Sequence, residues 1–311
     1  VNPLIIGEIL ALSAFLASVL YVHYRGYDRL SARRQATDHS TFLAPYNCLV
    51  YLFSGVPAKP ILEVGSFPAL RPLRDNWKVI REEAERLFAA GHIRAADGYD
   101  DLGFNTFFRK GWKRFYLKWY GEPPPSAREL CPRTVEILRS MPTVHGAMFA
   151  LMSPHSAVGK HRDPFAGSLR YHLGLVTPNS DECRIFIDGH RLSWRDGEDF
   201  VFDETYVHHF ENLTDATRII LFCDFERPIR NRVMRAFNRW VMAKVLPLTA
   251  TKNFEGERVG LANRAFSVLY PARRPFRQFK KAHRQLYYML KYASMVGTIG
   301  LALAGGYWVL R

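Results

Sequence analysis

Apolar residues are distributed along this chain in distinct textures. At each end they run almost unbroken: Leu4 to Tyr21 is 18 residues with one charge, Glu8, and Tyr292 to Leu310 is 19 residues with none. Each is close to the roughly 20 residues a helix needs to cross the hydrocarbon of a bilayer. A cleavable leader would carry its basic residues ahead of the apolar run. Here Arg25, Arg29, Arg33 and Arg34 follow the first block, and Lys280, Lys281, His283, Arg284 and Lys291 precede the second. Both flanks therefore predict that the intervening chain faces the cytoplasm.

Between these blocks the periodicity changes. Asn76 to Ala90 predicts an amphipathic helix, with Trp77, Ile80, Ala84, Leu87 and Phe88 opposite Arg81, Glu82, Glu85 and Arg86. Arg128 to Arg139 predicts a shorter helix. Arg227 to Leu246 predicts another, with Val233, Phe237, Trp240, Val241 and Val245 opposed by Arg232, Arg235, Arg239 and Lys244. That pattern suits a membrane surface or the flank of a core, and the sequence leaves both open. Phe104 to Tyr120 interleaves aromatic and basic residues and predicts a strand pair, whose basic side is either solvated or set against bases or lipid headgroups. Pro57, Pro60, Pro68 and Pro72 predict an irregular lead-in over Tyr27 to Arg74. After Pro142 come short strand-like runs, Ala147 to Met152, Tyr171 to Val176, Arg184 to Ile187, Asp199 to Phe202 and Arg218 to Phe225, separated by turn signals. Short strands at regular spacing predict a mainly β core, a sandwich or jelly roll.

Charge narrows the partners. The chain has 43 Lys and Arg against 29 Asp and Glu, and 43 − 29 = +14. That balance asks for nucleic acid, an anionic membrane surface or a phosphorylated substrate. Cys48, Cys131, Cys183 and Cys223 lack any C-x-x-C spacing, which argues against a zinc knuckle or a disulfide framework and fits a reducing, cytosol-facing location.

The chemistry concentrates between His161 and Arg218. In an extended segment His161 and Asp163 share one face, and Pro164 pushes the preceding residue out of the helical region. With a second histidine they would form a two-histidine, one-carboxylate set that leaves positions open on ferrous iron. His208 and His209, 47 and 48 residues on, compete for that role; adjacent strand residues face opposite ways, and spacing alone favours neither. Arg218 opens an apolar strand, where a guanidinium can fork onto the far carboxylate of a 2-oxoacid. The plainer readings are that Asp163 is a turn former and that Arg218 pairs with Asp215 or Asp224.

At His161-Arg162-Asp163-Pro164, Leu169-Arg170-Tyr171-His172-Leu173-Gly174-Leu175, Phe202-Asp203-Glu204-Thr205-Tyr206-Val207-His208 and Arg218-Ile219-Ile220-Leu221, the chain resembles the aspartyl/asparaginyl β-hydroxylase family of iron- and 2-oxoglutarate-dependent dioxygenases. Within that family it is similar to membrane-bound bacterial lipid A hydroxylases. The resemblance covers residues 140–230. It implies a double-stranded β-helix, a jelly roll of cupin type. It also implies His161, Asp163 and His208 as ligands of Fe(II), with Arg218, Arg170 and His172 binding 2-oxoglutarate, and O2 as the other co-substrate. The animal peptidyl hydroxylases of the family lack a carboxylate at the position of Asp163, which sets this chain apart from them. The implied substrate is a secondary acyl chain of lipid A, hydroxylated at its 2-position.

The expected layout is an N-terminal transmembrane anchor over 1–24 and a cytosolic dioxygenase domain over 25–226, its core at 140–226. A basic, partly amphipathic membrane-proximal helical region follows over 227–288, and a C-terminal transmembrane helix over 289–311. The expected location is a bacterial inner membrane, with no nucleic-acid partner. Trp112, Arg114, Tyr116 and Lys118 are expected to guide an anionic glycolipid. The alternatives are a hydroxylase of peptidyl Asp or Asn or of another lipid, and a membrane-anchored cupin-like binding module without turnover.

Overall fold

The computed structural model describes residues 3–96, 98–290 and 293–294. The C-terminal apolar block, expected as a second membrane helix, lies outside the described residues apart from a few positions. Among the described residues ten strands form two antiparallel sheets. The larger contains β1 (Ile61–Leu62), β2 (Trp112–Trp119), β3 (Val144–Met152), β5 (Ser168–Val176), β8 (Asp199–Phe202) and β10 (Arg218–Glu226), in the order β1-β8-β5-β10-β3-β2. The smaller contains β4 (Ser156–His161), β6 (Cys183–Ile187), β7 (His190–Ser193) and β9 (His208–Asn212), in the order β4-β9-β6-β7. From β3 onward the chain passes back and forth between the sheets, which is the winding of a jelly roll.

Helices α1 (Pro3–Tyr24), α2 (Ala32–Gln35), α3 (His39–Phe42) and α4 (Ala44–Leu52) precede the sheets. Helices α5 (Arg71–Asp75), α6 (Trp77–Ala89), α7 (Asn105–Phe108), α8 (Pro125–Leu130) and α9 (Pro132–Arg139) are set among the early strands. Helices α10 (Arg232–Lys244), α11 (Leu261–Leu269) and α12 (Arg274–Ala282) follow. Three expectations are corrected. The supposed strand pair at Phe104 to Tyr120 is the helical turn α7 followed by the single strand β2. The lead-in contains the nine-residue helix α4, begun rather than broken by its proline, since Pro45 sits in the first turn where no amide bond is lost. The helix over Arg128 to Arg139 is two, because Pro132 starts a new one.

Side-chain parity explains the core. The large sheet is covered on one face by α6, α8 and α9 and on the other by the small sheet. Leu169, Tyr171, Leu173 and Leu175 of β5, with Ile219, Leu221, Cys223 and Phe225 of β10, pack on the helix side with Ile80, Ala84 and Leu87 of α6. Removing each such side chain from water is worth about 1.5–3 kcal/mol. The alternate positions face the small sheet, where Met148, Ala150, Ile220 and Phe222 meet Ile185, Trp194 and Phe210. Both faces being buried, these strands read as near-continuous apolar runs. The charged residues inside them, Arg170, His172, Arg218 and Asp224, all fall on the inter-sheet parity.

Helix α10 has two sides. Asn231 caps it, accepting from the Met234 amide at 2.9 Å. Met234, Asn238 and Met242 are buried against the domain, while Val233, Phe237 and Trp240 remain exposed.

Helix α1 is long and apolar enough over Ile5–Tyr24 to cross a membrane. Its first turns stand clear of the domain, and only its end is seated: Val22 is buried, and its carbonyl accepts from Arg162 at 2.5 Å. Just beyond, Arg25 lies between the rings of Tyr51 and Tyr206, 3.9 and 4.0 Å away. It donates to Asp203 and Thr205, both at 2.7 Å.

Candidate metal centre

His161 ends β4 and His208 begins β9, and the two are opposed in the ladder. Val158 is opposite Phe210, so the step to His161 takes three residues on β4 but two on β9. This bulge turns His161 onto the side of His208; unbulged, Lys160 would occupy that place. The two imidazole rings are 4.2 Å apart. His209 points the other way and stacks on Phe186 at 4.7 Å. Asp163 follows directly, its amide held by the Glu204 carbonyl at 2.9 Å. Ligand atoms of His161, Asp163 and His208 all lie within 4.8 Å of one another.

The donor chemistry suits a metal ion. His161 Nδ1 lies 2.8 Å from the Gly159 carbonyl, and His208 Nδ1 lies 3.0 Å from that of Tyr206. A carbonyl can only accept, so each ring carries its proton on Nδ1 and offers the Nε2 lone pair. Burial keeps both imidazoles neutral: it lowers the pKa of His161, and it brings that of His208 down to about 3. Burial works against ionisation of Asp163, but Arg170, His208 and His161 outweigh it and hold its carboxyl down at about 2. Two neutral imidazoles and one carboxylate are the protonation states that metal binding requires.

Arg170 reaches this centre from β5. It pairs with Asp163, Glu204 and Asp224, the last at 2.9 Å, and its guanidinium lies 4.0 Å over the Phe222 ring. Burial pushes Glu204 and Asp224 up against the pull of Arg170. Glu204 was not singled out from the sequence, and Asp224 entered it only as an alternative partner of Arg218, although one acid in the apolar run Ile219 to Phe225 was a readable signal. Gly174, in the same motif as Arg170 and His172, has its own role: a Cβ there would collide with the Arg195 carbonyl, which crosses directly over β5.

Arg218 is placed differently. It is buried, lies 4.3 Å over the Trp194 ring, and leaves Nε and one Nη without a hydrogen-bond partner. Asp215 bonds His155 instead, and Asp224 bonds Arg170, so among the described residues Arg218 has no acidic partner. Burial lowers its pKa to about 10. Nearby His172, ringed by Trp194, Phe200, Phe202 and Phe222 at 5.1–6.0 Å, has both ring nitrogens unpaired, and burial depresses its pKa strongly. A buried guanidinium with free donors beside an unpaired imidazole fits a small carboxylate-bearing ligand.

His161, His208, Arg170, His172 and Arg218 line one narrow cavity. Its other walls are chiefly aromatic, with Phe104 and Phe107 reaching in around α7 and the Phe107 ring 4.9 Å from that of His161. Of the four residues expected to guide a glycolipid, Trp112 lines this cavity. Arg114 and Tyr116 are interior and bonded to Asp101 at 3.0 and 3.2 Å, and Lys118 donates to the Val144 carbonyl at 2.9 Å. Arg114 is thus folded inward and Lys118 is half-buried, while Lys113 stays exposed.

Comparison with known proteins places this geometry. The sequence pattern of the aspartyl/asparaginyl β-hydroxylases matches residues 74–228, from α6 to the end of β10. An ornithine lipid ester-linked acyl 2-hydroxylase of Rhizobium tropici is 29% identical over 198 residues, 61% of this chain and 68% of that protein. Human aspartate β-hydroxylase domain-containing protein 2 is 31% identical over 166 residues, 50% of this chain and 44% of its own length. Human aspartyl/asparaginyl β-hydroxylase is 26% identical over 197 residues, 60% of this chain and 25% of its own. The chain thus spans about two thirds of the bacterial relative and less than half of the human ones. The matched region carries the three-ligand cluster and the cavity, and the chain belongs to the aspartyl/asparaginyl β-hydroxylase family, as a hydroxylase of the dioxygenase class.

Proposed function

We propose that this chain is an Fe(II)- and 2-oxoglutarate-dependent acyl hydroxylase of lipid A, acting at the 2-position of a secondary acyl chain. It works from the cytoplasmic side of a bacterial inner membrane, anchored by α1. The observation that carries the chemistry is Arg218, a buried cation with open donors in the cavity that His161 and His208 also line, the two histidines clustering with Asp163. Iron and 2-oxoglutarate, when bound, supply oxidation of an unactivated C–H by dioxygen, with succinate and carbon dioxide as co-products. The chain's own residues position these partners. His161 and His208 present Nε2, and Asp163 presents the oxygen that Arg170 leaves free. Arg218 would fork onto the far carboxylate of 2-oxoglutarate, with the unpaired His172 imidazole beside it. Phe104, Phe107 and Trp112 receive the acyl chain and keep water from the reacting carbon.

The net charge of +14 suits a phosphorylated glycolipid. A second reading, hydroxylation of an ester-linked chain of an aminoacyl lipid, is favoured by the Rhizobium tropici relative. Mass analysis of total lipids from cells with and without the gene separates them: the mass of one oxygen added to lipid A supports the first, added only to an aminoacyl lipid supports the second. Unchanged lipids with a hydroxylated peptide overturn both.

A further inference from the structure

Helices α4 and α10 carry an apolar face that the jelly roll does not use. On α4, Leu49 and Leu52 point outward at 47% and 66% exposure. On α10, Phe237 and Trp240 are stacked on each other, ring centroids 5.9 Å apart, yet open to solvent. The two helices adjoin: Tyr46 of α4 lies 6.0 Å from Phe237 and its hydroxyl donates to Asn238 at 2.5 Å. Arg230, Arg232 and Lys244 border the face, exposed and without an acidic partner among the described residues.

Helix α1 supplies a depth scale. Residues 5–14 are bare, and contact with α4 begins only in the last turns, where Cys48 meets the Ser18 carbonyl at 3.7 Å and Tyr51 meets Tyr21 with rings 6.2 Å apart. Ser18 precedes the end of the span by six residues, about 9 Å along a helix. If α1 crosses the bilayer, α4 lies within the last several ångströms of it, the depth at which interfacial helices rest, about 5–10 Å into the boundary between headgroups and acyl chains. Aromatic rings and cations outside the apolar strip are the residues that boundary favours. A twofold copy of this chain would instead bring the basic rim against itself.

We infer that the outer faces of α4 and α10 form a docking surface that sinks into the headgroup–acyl boundary of an anionic bilayer. The inference rests on the proposed lipid substrate and sharpens it. Arg162, next to His161, holds the last turn of α1, and Arg25 holds the turn before His208, so the metal centre is tied to the membrane boundary. The carbon beside an acyl ester lies at that same boundary. A site fixed there reaches the 2-position without drawing the lipid far out of its leaflet.

The test uses the full chain in vesicles of phosphatidylcholine with phosphatidylglycerol, carrying lipids with a nitroxide high or low on the acyl chain. The difference in emission between wild type and Trp240→Phe isolates an exposed residue whose replacement leaves the core intact. The expected result is strong quenching of that difference by the shallow nitroxide, less by the deep one, and protection from aqueous acrylamide. Phe237→Glu should raise KM for vesicle lipid about tenfold, as loss of a buried phenyl ring implies, with turnover of detergent-dispersed lipid unchanged. Acrylamide access with no nitroxide quenching overturns the inference, as does shielding from both quenchers that varies with protein concentration. Lipid hydroxylation with Trp240 in water contradicts the docking alone; nitroxide quenching without any lipid hydroxylation leaves the docking and sinks the substrate assignment.

Discussion

The cavity has a saturated end and an open end. Arg170 and Arg218 come from adjacent strands, are both buried, and each lies over an aromatic ring. Arg170 is surrounded by Asp163, Glu204 and Asp224, while Arg218 has no acidic partner among the described residues. A buried charge fully bonded within the protein fixes its neighbours in place; a buried charge with idle donors is costly until a ligand arrives. One arginine therefore belongs to the architecture of the centre and the other to its traffic.

Substituting each arginine should separate these roles. Arg170→Met strands two buried acids, Glu204 and Asp224, together with the half-buried Asp163, and should lower unfolding free energy by about 3–5 kcal/mol, measured by denaturant titration. An unaltered midpoint would mean that the saturated end is not structural. Arg218→Met removes a charge that nothing in the protein compensates, so stability should hold or rise. KM for 2-oxoglutarate should meanwhile increase by about a hundredfold, the worth of a forked charge-assisted pair. Loss of stability with an unchanged KM would reverse the comparison.

A smaller effect concerns the tie to α1. Arg25→Gln leaves Asp203 with Arg227, at 2.9 Å, and should cost about 1.5–3 kcal/mol, read by the same titration. Smaller still is a pH effect at Asp203. Burial alone would raise its pKa, but Arg227 and Arg25 outweigh burial and hold it below the usual carboxylate range. The folded pKa is thus depressed, so the stabilisation is present above the unfolded value of about 4 and is lost as pH falls through it toward the folded value. Asp203→Asn should flatten the acid limb of the stability profile; an identical limb in both proteins would remove Asp203 from the account.

Much of this arrangement was legible because the large sheet is covered on both faces. Strands β3, β5 and β10 stand out as apolar runs, and any charge within them had to be bonded or functional, as Arg170 and Arg218 are. The small sheet was harder to read. Strand β4, Ser156–His161, is half exposed and has two apolar residues, and β9 is His-His-Phe-Glu-Asn. Its register depends on a bulge that leaves no mark in the sequence. The choice between His208 and His209 turns on which side of β9 meets β4's last residue and which meets Phe186, a long-range fact. Strand β2 misled for a related reason: its basic residues suggested a solvated edge, but Asp101, from a loop with no periodicity, draws Arg114 inside.

The central claim is that His161, Asp163 and His208 form one metal centre facing the open arginine. Anaerobic titration of Fe(II) into wild type, His208→Ala and His209→Ala tests it most directly. The account predicts that His208→Ala loses high-affinity ferrous binding and that His209→Ala, whose ring stacks on the far side of β9, retains it. Wild-type affinity in His208→Ala, or its loss in His209→Ala, would contradict the account.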